Sequence, residues 1–343
     1  MIERKKAAVI GCGMISKNHL KALNNMEQAE IYTVCDIEKE KAVKAGEEYS
    51  VHKIYEDYKE VISDPHVDVI HICTPHNLHG TMAAEALAAG KHVLCEKPMA
   101  LTEAEARAMV KARDQGGVQL GICFQNRYNE ASVYLKQMMD SGKLGTLLGA
   151  RAQVTWNRKP EYYENSPWRG RWEGEGGGVL INQAIHTLDL LQWLTCGIKK
   201  VQADISTKRL KSVIEVEDTV DILMFGEHEE RLLFYATNCY VKNSPVELEI
   251  ICSGGSLKLE GNQVITEADG KVTRADYTSG SVLGKDYWGS GHGILIRDFY
   301  ECVETGRPFP VSAEEAMKMV KLLEAVYQSG KTRTAVEVGT GKG

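Results

Sequence analysis

From residue 7 to residue 123, short apolar runs and helical patterns take turns. Residues 7–10, 31–35, 67–73, 92–95 and 118–123 read as strands. The run 67–73 (VDVIHIC) is almost continuously apolar, as a strand buried on both faces must be. Helical patterns lie between the strands at 38–49, 78–89 and 102–115, and Thr102 with Glu105 predicts a capping box. Strands alternating with helices specify a parallel, doubly wound α/β sheet. Ligands on such sheets lie at the carboxyl ends of the strands. Here those ends carry Thr74-Pro75, Lys97 and Asn126-Arg127.

The first strand runs into Gly11-Cys12-Gly13-Met14-Ile15-Ser16 and then a helical pattern. Strand, Gly-x-Gly, helix is the context of a dinucleotide-binding turn. Gly11 permits the tight turn, and Gly13 lets a pyrophosphate approach the backbone at a helix N-terminus. Ser16 replaces the third glycine, which weakens the motif. The second strand ends in Asp36, an acidic residue about 20 residues on that can accept both ribose hydroxyls. It repels a 2′-phosphate, so NAD is expected rather than NADP. Asp36 also suits the N-cap of the helix that follows, and the two roles are compatible.

Lys97 reads either as a surface lysine or as a fixed cation, pinned between Glu96 and Pro98 after an apolar strand. A cation there can polarise a substrate hydroxyl, lower its pKa or shuttle its proton. His76 and His79 have metal-like spacing but no third ligand in view, so no metal is expected.

A second organising stretch is 176–194, GGGVLINQAIHTLDLLQWL, read as one buried helix stopped near Gly197. Asn182, His186 and Asp189 fall on one face at helical spacing. Unpaired buried polar groups cost about 1–3 kcal/mol each, so these three need partners. They form either a polar seam bonded to neighbouring backbone or a helix that delivers His186 to a substrate for acid–base work.

Beyond residue 124 the pattern changes. A helix at 130–141 precedes strands at 150–156, 201–207, 219–225, 231–240, 246–252 and 256–260, separated by turn signals. Short connections predict antiparallel hairpins in one broad sheet with helices on one face. The other face needs a cover, so a homo-oligomer, dimer or tetramer, is expected. Residues 1–124 and 125–343 are thus two expected domains: a Rossmann-type one and an α+β one with a large open, mainly antiparallel sheet.

The segment 156–175 concentrates Trp156, Arg158, Tyr162, Tyr163, Trp168, Arg169, Arg171 and Trp172. Such a loop either binds a polyhydroxylated or phosphorylated ligand or packs on its own domain or a neighbouring subunit. Near the end, Tyr287-Trp288-Gly289-Ser290-Gly291-His292-Gly293 precedes a helix and offers His292 to the same ligand. A final amphipathic helix is expected at 314–327.

The net charge of −6 carries no long run of one sign, which gives no footprint for nucleic acid. No apolar run reaches the roughly 18 residues of a membrane span. Met1 to Lys6 is charged and unlike a secretory leader. Nine cysteines scattered without a CxxC pair suit a reducing, cytoplasmic setting.

Together these residues resemble the glucose–fructose oxidoreductase / inositol dehydrogenase (Gfo/Idh/MocA) family over nearly the whole chain. The resemblance rests on Gly11-x-Gly13, Thr74-Pro75 with His79, and Gly90-Lys91-His92-Val93 leading to Glu96-Lys97-Pro98. It extends through Gln125-Asn126-Arg127-Tyr128, Gly177-Gly178 to His186 and Asp189, and Phe309-Pro310-Val311. It implies NAD-dependent oxidation or reduction of a secondary alcohol or ketone on a sugar, nucleotide sugar or cyclitol. Lys97 and His186 are then catalytic. Gly11, Gly13, Met14, Ile15, Asp36, Thr74, Pro75, His79, Glu96, Lys97 and Gln125 are expected at the cofactor. Arg127, Tyr128, Arg158, Trp168, Asn182, Gln183 and His292 are expected at the substrate. Relatives of this kind usually carry aspartate where this chain has Asn182, which cannot be a base. Asn182-Gln183 resembles the branch that includes UDP-N-acetylglucosamine 3-dehydrogenases. Two other outcomes fit such a chain: an NAD-using glycosidase with no net redox, and a redox-silent sugar sensor.

Overall fold

The computed structural model describes residues 4–195, 197–277 and 291–339, and the chain divides into two compact units. The first takes Met1–Phe124 together with Gly291–Val320. That return differs from a division of the chain at 124/125 alone. It follows from apolar packing: Phe299, Phe309 and Val311 are buried, and the rings of Phe299 and Phe309 lie against Gly121, where a Cβ would come within 2.8 Å of them.

In the first unit β1 (Lys5–Ile10), α1 (Ser16–Asn24), β2 (Ala29–Cys35), α2 (Lys39–Tyr49), β3 (Lys53–Tyr55) and α3 (Tyr58–Ser63) are followed by β4 (Val69–Ile72), α4 (His76–Ala88), β5 (His92–Cys95), α5 (Glu103–Gly116) and β6 (Leu120–Ile122). All neighbouring strands are parallel, in the order β3-β2-β1-β4-β5-β6. The order reverses between β1 and β4, and such switch points are where doubly wound sheets bind ligands. The local reasons are those the sequence carries. β4 is buried along its length, and α5 has its capping box at Thr102 and Glu105.

The second unit takes Gln125–Ser290 and Lys321–Gly343. It contains α6 (Glu130–Asp140), β7 (Leu147–Thr155), α7 (Glu161–Glu164), α8 (Trp172–Glu175), a π-helical turn at Leu180–Ala184, and α9 (Ile185–Leu194). The strands β8 (Lys200–Ser206), β9 (Thr219–Phe225), β10 (Arg231–Thr237), β11 (Glu247–Cys252), β12 (Gly255–Glu260), β13 (Gln263–Ala268), β14 (Lys271–Asp276) and β15 (Val336–Glu337) follow. Nine strands form one sheet in the order β14-β13-β12-β11-β7-β10-β9-β8-β15. Only β7 and β10 pair in parallel; the other neighbours are antiparallel. Burial alternates along β10, so one face is covered and the other, with Leu233 and Tyr235, is exposed.

The helix expected over 176–194 begins after the glycines as the π turn at Leu180–Ala184 and passes directly into α9, and the π turn shifts the register between Asn182 and His186. The glycines before it are dictated by packing. A Cβ on Gly177 would meet Tyr327 Oη at 1.9 Å, and one on Gly178 would meet the carbonyl oxygen of Glu217 at 1.9 Å. Gly178→Ala is therefore expected to cost at least about 3 kcal/mol in urea unfolding, the upper range for overpacking. Gly293→Ala, with nothing within 4 Å of its Cβ, is the near-neutral control.

Candidate active site

The turn after β1 is built for close backbone approach. Gly11 has φ +91°, and a Cβ there would lie 2.6 Å from the carbonyl oxygen of Cys73 at the end of β4. Around a Cβ on Gly13 there is nothing within 4 Å, and α1 begins without a side-chain cap. Open space thus faces a helix N-terminus, which suits an anionic pyrophosphate. Asp36 braces the turn: Cys12 N–H donates to Oδ2 at 2.7 Å and Glu38 N–H to Oδ1 at 2.9 Å. Each oxygen keeps acceptor capacity for a ribose hydroxyl. Met14 is 70% exposed beside this space, with Ile15 half-buried. Thr74 Oγ1 is buried with no hydrogen-bond partner among the described residues. The turn, the open space and the orphaned hydroxyl fit a dinucleotide.

His79, expected at the cofactor, lies beneath the turns that carry Thr74 and Lys97. It is fully buried, with Nδ1 2.7 Å from the Pro98 carbonyl oxygen and Nε2 3.0 Å from that of Thr74. It lies between the turn at Thr74-Pro75 and the turn at Lys97-Pro98, and its single N–H in the neutral ring donates to one of the two carbonyls. Lys97 is half-buried at the end of β5. Glu96 beside it is buried, with Oε1 3.1 Å from His19 Nε2 and 3.4 Å from His292 Nε2. Burial alone would raise its carboxyl pKa; the two imidazoles overcome that and hold it well below the usual range. His292, expected at the substrate, is buried beside Glu96, while Tyr287-Trp288-Gly289-Ser290 lies outside the described residues.

The sequence does not signal how far this network extends. His19 Nδ1 is 2.8 Å from His71 Nδ1, and His71 Nε2 is 3.0 Å from Tyr300 Oη. His19, Glu96 and Cys123 place their ligating atoms within 4.8 Å of one another. Burial raises the Cys123 thiol well above its usual pKa, which disfavours the thiolate a metal needs.

In the second unit the polar residues of the glycine-led segment all have partners. Gln125 Nε2 lies 3.3 Å from His186 Nε2. Arg127 grips Asp189 with two nitrogens, Nε to Oδ2 at 2.8 Å and Nη2 to Oδ1 at 2.6 Å, both residues being buried. Arg127, expected at the substrate, thereby anchors α9. Gln183, also expected at substrate, donates to Tyr162 Oη at 3.1 Å and accepts from Asn238 Nδ2 at 2.9 Å. Asn182 is half-buried and donates to Glu175 Oε1. Tyr128 and Trp168 are half-buried, and Arg158 is buried against Trp156 and Tyr162.

Glu175 and Glu217 escaped the sequence reading, because nothing in their spacing marks them as buried. Glu217 accepts from Gly178 N–H at 2.9 Å and Leu180 N–H at 3.1 Å. Burial pushes both carboxyls up, Glu175 to about 7 and Glu217 to about 7, against the backbone hydrogen bonds that pull them down. An acid whose folded pKa lies above its unfolded value is neutral below both and penalises folding once ionised. The penalty therefore develops as pH rises from about 4.5 to 7, so these two acids favour folding more at pH 5 than at pH 8. At 1.36 kcal/mol per unit, Glu175 alone accounts for about 3 kcal/mol. In urea unfolding at the two pH values, Glu175→Gln is expected to shrink that difference by about this amount.

Residues 5–124 match a family model described as an oxidoreductase family with an NAD-binding Rossmann fold, and residues 132–258 match the GFO/IDH/MocA C-terminal domain. The D-apiose dehydrogenase of Paraburkholderia graminis is 28% identical, covering 98% of this chain and 90% of its own length. The trans-1,2-dihydrobenzene-1,2-diol dehydrogenase of Mus musculus is 31% identical over 81% of each. Among solved structures, the WlbA dehydrogenase of Bordetella pertussis in complex with NADH and UDP-GlcNAcA superposes with a TM-score of 0.85 at 28% identity, covering 98% of this chain and 99% of that one. The nucleotide-type turn, the second-unit sheet and these matches agree, and the chain belongs to the Gfo/Idh/MocA family of NAD-binding oxidoreductases.

Proposed function

We propose that this protein is an NAD-dependent dehydrogenase that interconverts a secondary alcohol and a ketone on a sugar, nucleotide sugar or cyclitol. The observation that carries the reading is the turn at Gly11–Gly13 braced by Asp36, with open space above Gly13. The named relatives support a sugar-like substrate: a D-apiose dehydrogenase, and a dehydrogenase crystallised with NADH and UDP-GlcNAcA.

Gly11, Gly13, Met14, Ile15 and Thr74 would hold the pyrophosphate half of the cofactor, and Asp36 the adenosine ribose. Pro75, Glu96 and Gln125 complete the expected contacts, and His79 acts through the turns it lies between. When bound, the nicotinamide supplies the hydride acceptor. The chain's own residues handle the proton. An amide N–H of Gln125 facing His186 Nε2 makes that nitrogen the acceptor and leaves the ring proton on Nδ1; this tautomer is assigned from the contact. A substrate hydroxyl that takes the place of the Gln125 N–H meets a basic nitrogen, and His186 removes its proton. Lys97 stabilises the alkoxide that develops. Asn182 donates through Nδ2 to Glu175, which fixes its side chain beside His186 on the same segment, where it is expected to meet a sugar hydroxyl.

In this reading residues 1–124, joined in the first unit by 291–320, serve the cofactor, and the second unit serves the substrate and self-association. Eight described cysteines are free thiols, which supports a reducing, cytoplasmic location. The exposed face of the nine-stranded sheet, with Arg151, Gln153, Leu223, Leu233, Tyr235 and Glu249, is covered by a second copy. Light scattering coupled to size exclusion is expected to give a dimer or tetramer; monomer alone would remove this part of the reading. Lys97→Met is expected to cut turnover by about 10²–10⁴, the usual scale for lost acid–base catalysis, while NAD still binds. Nicotinamide absorbance with inositols, free sugars and UDP-sugars reads the first, and cofactor fluorescence titration the second. Unchanged turnover in the variant would falsify the role.

A further inference from the structure

The second unit stacks two arginines and three aromatic rings in alternation. Arg158 Cζ lies 5.0 Å from the ring centroid of Trp156 and 5.4 Å from that of Tyr162. Arg169 Cζ lies 4.5 Å from the Tyr162 ring and 5.3 Å from the Trp168 ring. Tyr162 is therefore shared by both cations. Its hydroxyl accepts from Gln183, which stands three residues before His186.

The two charges are desolvated without being neutralised. Arg158 is 8% exposed, and its hydrogen bonds go to uncharged acceptors, the Asn157 carbonyl at 3.0 Å and Asn243 Oδ1 at 3.1 Å. The Nε atoms of Arg158 and Arg169 are buried with no acceptor. Among the described residues neither guanidinium forms an ion pair. Their exposed neighbour Arg171 does, with Glu215 at 2.6 Å. So the arginine least in need of a counter-ion has one, and the two most in need do not. Glu175 feels the charge of Arg169, but it is engaged by Gly170 N–H and Asn182, and its raised pKa leaves it part-protonated near neutrality. Ring faces stabilise a cation by about 0.5–2 kcal/mol, yet they do not cancel the repulsion of two cations sharing one ring. An anion from outside the chain would.

We propose that Arg158 and Arg169 form an oxyanion subsite of the substrate site, so that the sugar handled carries a carboxylate or a phosphate. The proposal rests on the dehydrogenase reading and narrows its substrate class. A planar guanidinium matches both anions with paired hydrogen bonds. Arg169 is the partly exposed member and receives the anion, and Arg158 supplies a fixed charge behind it.

The test uses matched neutral and anionic probes on the full chain with NADH present: D-glucose against D-glucuronate for the carboxylate, and N-acetylglucosamine against UDP-N-acetylglucosamine and glucose against glucose 6-phosphate for the phosphate. Calorimetry reads binding, and NAD reduction reads turnover. At least one anionic probe is expected to bind 10-fold or more tighter than its neutral partner, which also says which anion is meant. In Arg169→Gln that preference is expected to fall by about 10–100-fold, the scale of one charge-assisted hydrogen bond. Arg158→Lys, which keeps the charge but loses the fork, is expected to retain part of it. Equal binding within every pair, a preference that survives Arg169→Gln, or no binding by any probe at millimolar concentration overturns the subsite. Turnover of neutral sugars alone sinks the subsite and leaves the dehydrogenase reading standing. Anion preference without NAD reduction keeps the subsite and sinks the dehydrogenase reading.

Discussion

The buried carboxylate of Glu217 fixes where the His186 segment begins. Its oxygens take the N–H groups of Gly178 and Leu180 and the hydroxyl of Tyr327. These are donors that the start of a helix otherwise leaves unsatisfied. The acceptor can come this close because Gly177 and Gly178 carry no side chain. The far end of the segment is held by Asp189 in its two-pronged pair with Arg127. Removing one partner of a buried pair costs about 3–5 kcal/mol, because the other charge is stranded. His186 is therefore positioned from both ends by ionisable groups rather than by apolar packing alone.

The first unit uses the same device. Asp36 locks the glycine turn through two backbone N–H groups, and Glu96 is clasped by His19 and His292 immediately before Lys97. In both units the position proposed as catalytic follows or faces a buried carboxylate with assigned partners. Such groups gain little net stability, but they define geometry, because only one arrangement satisfies them.

The doubly wound half was legible because its signals are local: apolar runs, glycine turns and a capping box, each confined to a few adjacent residues. The second sheet was less so. β13 and β14 were missed although Asp269 and Gly270, both with positive φ, form the kind of turn that marks a hairpin. β14 is exposed throughout and offers no hydrophobic alternation to detect. At the site, the residue types were readable but not their partners. Arg127, Gln183 and His292 look like ligand-binding groups from composition, and only the fold gives each of them its polar neighbour. Glu175 and Glu217 look like surface acids, and only tertiary packing buries them.

Local charge and overall charge also separate here. The chain carries a net −6, which by itself gives no reason to expect an anionic ligand. Exposed charges act over a screening length of about 8–10 Å in physiological salt, so a diffuse negative surface contributes little at a site lined by low-dielectric rings. At the stack stand Arg158 and Arg169, and Arg169 acts on a Glu175 whose charge is partly suppressed by burial. Stacking on Trp156, Tyr162 and Trp168 removes water from the guanidinium faces while leaving their charge intact, which strengthens their pull on an oxyanion. In the proposed subsite, selectivity then follows from whether the ligand completes a charge balance that Arg158 and Arg169 leave open.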